Sequence, residues 1–154
     1  MDIMGQRQLP AAPGEVWACL VDPQVLAACI PGCQSMQRLE DDVYECTVRA
    51  SYGPVKATFV TRLSLANVEA PRSYTLQGRG EGGAAGFGEG SADVELVPDG
   101  PGTVLKYNAR FNAGGRIAQV GARLFSSTTR KLADRFFDAF AQHCAPDAPQ
   151  DEPR

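Results

Sequence analysis

The sequence predicts an α+β domain of the helix-grip type, in which a curved antiparallel sheet wraps around one long C-terminal helix, with two short helices after the first strand. Three observations carry that expectation. From the Ile30-Pro31-Gly32 turn to about residue 113 the period of apolar residues is two, the period of strands with one wet face. The apolar period then changes to three and four over 114–143, which is helical. The connections between the alternating runs are short and built on Gly and Pro, as an antiparallel meander needs.

Asp2–Leu9 is a short mixed run ended by Pro10 and reads as an edge strand. Pro13 opens a short helix with Val16, Trp17 and Leu20 on one face, and Asp22-Pro23 is an N-cap followed by proline at the first helical position. Ile30-Pro31-Gly32 stops that second helix. In 43–52, Tyr44, Cys46, Val48, Ala50 and Tyr52 share one face; after Gly53-Pro54, Val55, Ala57, Phe59, Thr61, Leu63 and Leu65 share the next. Tyr74 and Leu76 begin a strand reaching about Glu81, Ala92, Val94 and Leu96 mark another, and Leu105, Tyr107, Ala109 and Phe111 mark the last. A helix of about 28 residues over 114–143 would be roughly 42 Å long. One helix cannot fully cover such a sheet, so the sheet must curl and the gap tends to become a cavity. Residues 1–143 are expected to form a single domain, and 144–154, with three prolines in its last ten positions, a disordered tail.

Composition narrows the function classes. With 154 residues, 44% hydrophobic and 21% charged, the chain is an ordinary globular domain. Its net charge of −3 argues against nucleic acid as a partner. No apolar run of about 18 residues is present, and the opening MDIMGQRQLP has no apolar signal segment. A cytoplasmic protein with reduced thiols is expected, consistent with five cysteines. Cys29 and Cys33 form a C-x3-C pair and His143-Cys144 lies far along the chain. Zinc patterns use tighter, doubled spacings, so no metal site is expected and the cysteines read as small core residues.

No catalytic set stands out. His143, the sole histidine, falls at a helix end, and Asp93 and Glu95 fall on the polar face of their strand. Gly78, Gly80 and Gly83 satisfy G-x-G-x-x-G, but a strand follows where a dinucleotide site needs a helix. Those glycines read either as hairpin geometry or as the rim of a cavity mouth. The cavity wall is expected from the apolar phase of the strands (Tyr44, Val48, Phe59, Leu63, Tyr74, Leu76, Tyr107, Phe111), from Phe87 beside the glycines, and from Leu124, Phe125 and Phe136 on the helix. Arg116, Arg123 and Arg130 are spaced by seven and would form a basic stripe on the outer helix face. Segment 114–143 carries a net +3, leaving −6 for the remainder. Such a stripe suits a membrane surface or an acidic partner, or is simply a solvated helix face.

Several strings together resemble a known family: Pro10-Ala-Ala-Pro-Gly-Glu-Val-Trp17, Asp22-Pro23, Ala28-Cys-Ile-Pro-Gly-Cys33, Gly53-Pro-Val-Lys-Ala57, Gly82-Gly-Ala-Ala-Gly-Phe87, Ala92-Asp-Val94, Gly115-Arg-Ile-Ala-Gln-Val-Gly121 and Lys131-Leu-Ala-Asp-Arg-Phe-Phe137. They resemble the G-subunit family of carbon monoxide dehydrogenase, within the START-like (SRPBCC) superfamily. The resemblance implies a non-catalytic accessory protein of an aerobic molybdenum carbon monoxide dehydrogenase or a related molybdenum hydroxylase. It carries no tightly bound cofactor, and it links the enzyme to the membrane respiratory chain. A START-like cavity implies an apolar ligand, with a respiratory quinone (menaquinone or ubiquinone) as the specific expectation. Some relatives continue into an apolar C-terminal anchor; here membrane contact is expected to be peripheral, on the cytoplasmic face of the inner membrane. The other readings are a ligand-free adaptor that recruits the dehydrogenase to the membrane and a small cavity enzyme of the polyketide cyclase or hydrolase type.

Overall fold

The computed structural model describes residues 1–144; the expected disordered tail lies outside them from residue 145 onward. The elements run β1 (Asp2–Leu9), α1 (Pro13–Leu20), α2 (Pro23–Cys29), β2 (Cys33–Glu40), β3 (Val43–Tyr52), β4 (Val55–Glu69), β5 (Ser73–Glu81), β6 (Phe87–Asp99), β7 (Gly102–Gly114) and α3 (Ala122–His143). The seven strands form one antiparallel sheet in the order β1-β7-β6-β5-β4-β3-β2. This is the α+β helix-grip architecture expected from the sequence: five consecutive hairpin pairings, with β1 closing onto β7 and α3 laid across the inner face.

The local chemistry sets the short helices. Asp22 Oδ1 accepts from the Gln24 N–H at 2.9 Å with Pro23 behind it, capping α2 as its sequence requires. At α1, Glu15 reaches back to accept from the Ala12 N–H at 3.3 Å. Thr103, buried in β7, donates to the Ala11 carbonyl at 2.7 Å and ties the chain entering α1 to the sheet.

Two elements depart from the sequence expectation. β2 carries no alternation because most of its residues on both faces are exposed, as an edge strand permits. The expected single helix over 114–143 is instead a 3-10 turn at Arg116–Val120 followed by the 22-residue α3, roughly 33 Å long. Gly115 and Gly121 interrupt it with φ of 81° and 99°, values that L side chains rarely adopt. The three-to-four period persisted through this turn because Ile117 is still buried against the sheet.

The core has two parts. The larger sits where α1, β6, β7 and the C-terminal end of α3 meet, around Leu9, Val16, Leu20, Leu96, Leu105 and the fully buried Phe140. Cys144, placed in the tail by the sequence reading, belongs to this core, its thiol reaching the Glu15 carbonyl at 3.5 Å. The smaller cluster joins Val55, Phe59, Ala85, Ile117 and Phe125 at the other end of α3. Replacing Phe140 by Ala is expected to cost about 3–5 kcal/mol, read as a lowered denaturant midpoint; a loss below about 1 kcal/mol would show that Phe140 does not pin the helix.

Candidate functional site

The space between α3 and the concave face of the sheet is an apolar cavity of two lobes. The inner lobe, about 340 Å³, borders the larger core and is walled by strand residues such as Leu63, Tyr74, Leu76 and Tyr107, by Leu20, Leu26 and Ile30, and by Phe136 and Phe137 of α3. The outer lobe, about 320 Å³, borders the smaller cluster and is walled by Val48, Tyr52, Phe59, Ile117, Phe125 and Leu132, with a glycine-rich stretch of sheet behind. Phe111 and Thr129 line both lobes and mark their junction. Each volume lies at the lower end of the range for small-molecule sites.

Most of the expected wall residues border these two lobes. Tyr44, Leu63, Tyr74, Leu76, Tyr107, Phe111 and Phe136 line the inner lobe, and Val48, Phe59 and Phe125 the outer one. Two expected residues fall elsewhere. Phe87 pairs opposite Glu81 in β5 and Gly114 in β7, in the outward phase shared with Glu89 and Asp93. The Arg79 guanidinium lies 4.2 Å from its ring centroid on that outer face, held by Glu81 at 2.6 Å and Glu89 at 2.5 Å. Leu124 is 38% exposed and packs over the tip of the β3–β4 turn at Gly53. Thr129 also enters the cavity, one helical turn past Phe125, where counting fours from that residue finds it.

Glycines divide between wall and rim. Gly78, Gly80, Gly88 and Gly90 lie within β5 and β6 and line the outer lobe. The hairpin itself is a 3-10 turn at Gly83–Ala85, closed by the Gly82 N–H donating to the Gly86 carbonyl at 2.7 Å. Gly86, with φ of 104°, packs against the backbone of Gly114 and Gly115, so the β5–β6 turn and the turn after β7 touch with no side chain between them.

The basic stripe is split. Arg123 and Arg130 share the outer face of α3, while Arg116 sits on the separate 3-10 turn before it. All three are exposed, and among the described residues none lies within ion-pair distance of a carboxylate.

The model of the carbon monoxide dehydrogenase G-subunit (CoxG) family matches residues 5–145. The chain belongs to that family. Among solved structures, a conserved protein from Geobacillus kaustophilus is similar to this CoxG-family chain at 28% identity and a TM-score of 0.87, covering 94% of this chain and 95% of the other. A Thermus thermophilus protein shares the fold at 14% identity and TM-score 0.70, covering 94% and 97%. The ZhuI aromatase/cyclase from Streptomyces sp. R1128 shares it at 13% identity and TM-score 0.66, covering 94% and 93%. No curated protein sequence matches the chain.

In this CoxG-family chain the inner lobe is lined by no acidic, basic or cysteine side chain among the described residues. The Tyr44 hydroxyl is spent outside it, donating to the Val21 carbonyl at 2.8 Å and accepting from Arg38 at 3.1 Å. Asp93 accepts from Thr75 at 2.9 Å on the outer sheet face. The cysteines of the C-x3-C pair diverge: Cys29 enters the core while the Cys33 thiol donates to the Ser35 carbonyl at 3.3 Å. No three His, Cys, Asp or Glu side chains converge as a metal site among the described residues.

Burial pushes the Cys29 and Cys46 thiols up to about 11, with Cys19 adding to the first and Cys33 and Glu45 to the second. Both are therefore protonated at neutral pH and poor nucleophiles. Because folding raises these values from an ordinary 9.0, their contribution to stability is complete below about pH 9 and is lost as pH rises to about 11. Iodoacetamide at pH 8 is expected to label Cys29 and Cys46 on the order of a hundredfold more slowly in the folded than in the urea-unfolded chain, followed by peptide mass spectrometry. Equal rates would show that these thiols are accessible as thiolates.

Proposed function

We propose that this chain is a non-catalytic accessory protein of an aerobic molybdenum carbon monoxide dehydrogenase, or a related molybdenum hydroxylase, that holds an apolar ligand such as a respiratory quinone. The observation that supports this reading best is the two-lobed cavity between α3 and the sheet, whose inner lobe is walled almost wholly by apolar side chains, in a CoxG-family chain. Binding there needs no chemistry from the protein. Apolar surface leaves water at roughly 25 cal/mol per Å², and release reverses the transfer. An inner lobe lined by no Asp, Glu, His, Lys, Arg or Cys side chain supports carriage over a cyclase-type reaction, for which those residues are the commoner acid–base groups.

In this reading the carrier connects the dehydrogenase with membrane electron transport. No helix among the described residues is long and apolar enough to cross a membrane, and the reading assigns a peripheral contact on the cytoplasmic face of the inner membrane to Arg123 and Arg130. Each basic residue near an anionic surface is worth about 1 kcal/mol. Changing both to Ser is expected to weaken sedimentation with phosphatidylglycerol vesicles on the order of 30-fold; undiminished binding would remove these arginines from the contact.

The ligand claim is tested on the purified full chain by native mass spectrometry and organic extraction. A quinone is expected in the wild type, and Ala133→Phe, which fills the inner lobe, is expected to lower its occupancy at least about tenfold while circular dichroism stays unchanged. A chain that is empty yet binds the dehydrogenase tightly would overturn the carrier in favour of a ligand-free adaptor.

A further inference from the structure

The outer lobe differs from the inner one in what its sheet wall is made of. Gly78 pairs with Gly90 across β5 and β6, and Gly80 pairs with Gly88. All four lie in the inward phase of Leu76, Ala92 and Val94, so two adjacent strands present bare backbone to the outer lobe. Glycine weakens a strand interior, and where it persists it often marks a close backbone approach. Three of these glycines have such a reason within the protein. A Cβ at Gly78 would meet Leu63 at 2.9 Å, one at Gly80 would meet Thr61 at 2.8 Å, and one at Gly90 would meet the Phe111 Cβ at 2.7 Å. At Gly88 a Cβ would find nothing nearer than the Asn112 carbonyl oxygen at 4.0 Å. Among the described residues nothing accounts for that missing side chain, and Gly88 lines the lobe.

Aromatic rings border this bare stretch. Tyr52 of β3 and Phe125 of α3 stack with ring centroids 5.1 Å apart and planes 26° apart, and Phe111 of β7, paired across from Gly90, lies 5.6 Å from Phe125. Flat backbone bordered by rings admits a flat group more readily than a branched one. The lobe also holds hydroxyls. Thr129 donates to the Phe125 carbonyl at 2.9 Å, and Tyr52 lies 3.2 Å from the Thr129 hydroxyl. With the Thr129 proton so used, Tyr52 donates to Thr129 and keeps its own lone pairs for an incoming donor. Rotation of the Tyr52 hydroxyl turns the same atom into a donor for an incoming carbonyl.

We infer that the outer lobe is the subsite for the head of the ligand, a planar ring bearing carbonyl or hydroxyl oxygens, seated over Gly88 with Tyr52 as its hydrogen-bond partner, and that the inner lobe takes an apolar tail. This rests on the carrier reading above. The Tyr52 hydroxyl serves both redox forms of such a ring, accepting from a hydroquinone and donating to a quinone. The rival location for the head is the inner lobe, where the hydroxyl of Tyr74, 7% exposed, has no hydrogen-bond partner among the described residues. Its ring stands edge-on to Trp17 at 5.3 Å.

Two probes separate these locations by equilibrium dialysis with the full chain: 2-methyl-1,4-naphthoquinone, a head without a tail, and palmitate, a tail without a ring. Gly88→Leu adds a side chain where the structure is open, and is expected to lower affinity for the naphthoquinone at least tenfold while palmitate binding changes less than twofold. Ala133→Phe is expected to do the reverse. Tyr52→Phe is expected to weaken the naphthoquinone roughly three- to tenfold, with an unchanged melting temperature as its control. The inference is overturned if Gly88→Leu and Tyr52→Phe leave naphthoquinone affinity intact while Tyr74→Phe or Ala133→Phe lowers it. In that case the head sits in the inner lobe and the carrier reading survives. A wild type that binds neither probe overturns both.

Discussion

The structure turns on a mismatch of widths. Seven strands spaced about 4.8 Å apart present a surface far wider than a single helix of about 10–12 Å. With α3 as the one long helix on the concave face and α1 and α2 covering only one end of it, the sheet must curl, and even curled it leaves a gap that side chains line but do not fill. Larger residues on the wall would have closed it. Ala92, Ala109 and Ala133 around the inner lobe, and glycines around the outer lobe, keep it open. The cavity is thus a consequence of the element list combined with small residues at chosen positions.

The two ends of α3 are held differently. At the C-terminal end Phe140, Cys144 and Phe136 sink into the larger core, and Arg7 on β1 reaches Asp138 at 3.0 Å. At the N-terminal end Phe125 and Ile117 belong to a smaller cluster that is also the wall of the outer lobe. The larger core with the inner lobe beside it thus lies toward one end of the helix, and the smaller core with the outer lobe toward the other.

The alternation of strand residues carried much of the site into view, because one face of an antiparallel sheet is read directly from a period of two. It failed at Phe87, where a run of glycines hid the phase: with no side chains at Gly86, Gly88 and Gly90 the alternation cannot be counted, and the ring proved to face outward over Arg79. The helical period failed in a related way at Gly115–Gly121. Spacing alone cannot distinguish a continuous helix from a glycine-bounded turn that buries Ile117 at the same interval. Helical spacing puts Leu124 on the apolar face, but its placement over Gly53 depends on a turn that only the folded chain brings to the helix. Ile3, Leu26 and Ile30 reach the inner lobe from elements distant in sequence, and no local pattern announces that.

The bare strand segments at Gly78–Gly80 and Gly88–Gly90 have a further consequence. A wall of side chains can be reshaped by rotamer changes, so Leu63, Leu76 and Phe136 give the inner lobe a compliant lining. A wall of paired backbone has no rotamers, and its position is set by the hydrogen-bonded register of β5 and β6. One half of the cavity therefore behaves as a rigid die and the other as a soft gasket. A molecule with a fixed shape at one end and variable length at the other meets tight selection at the first and tolerance at the second.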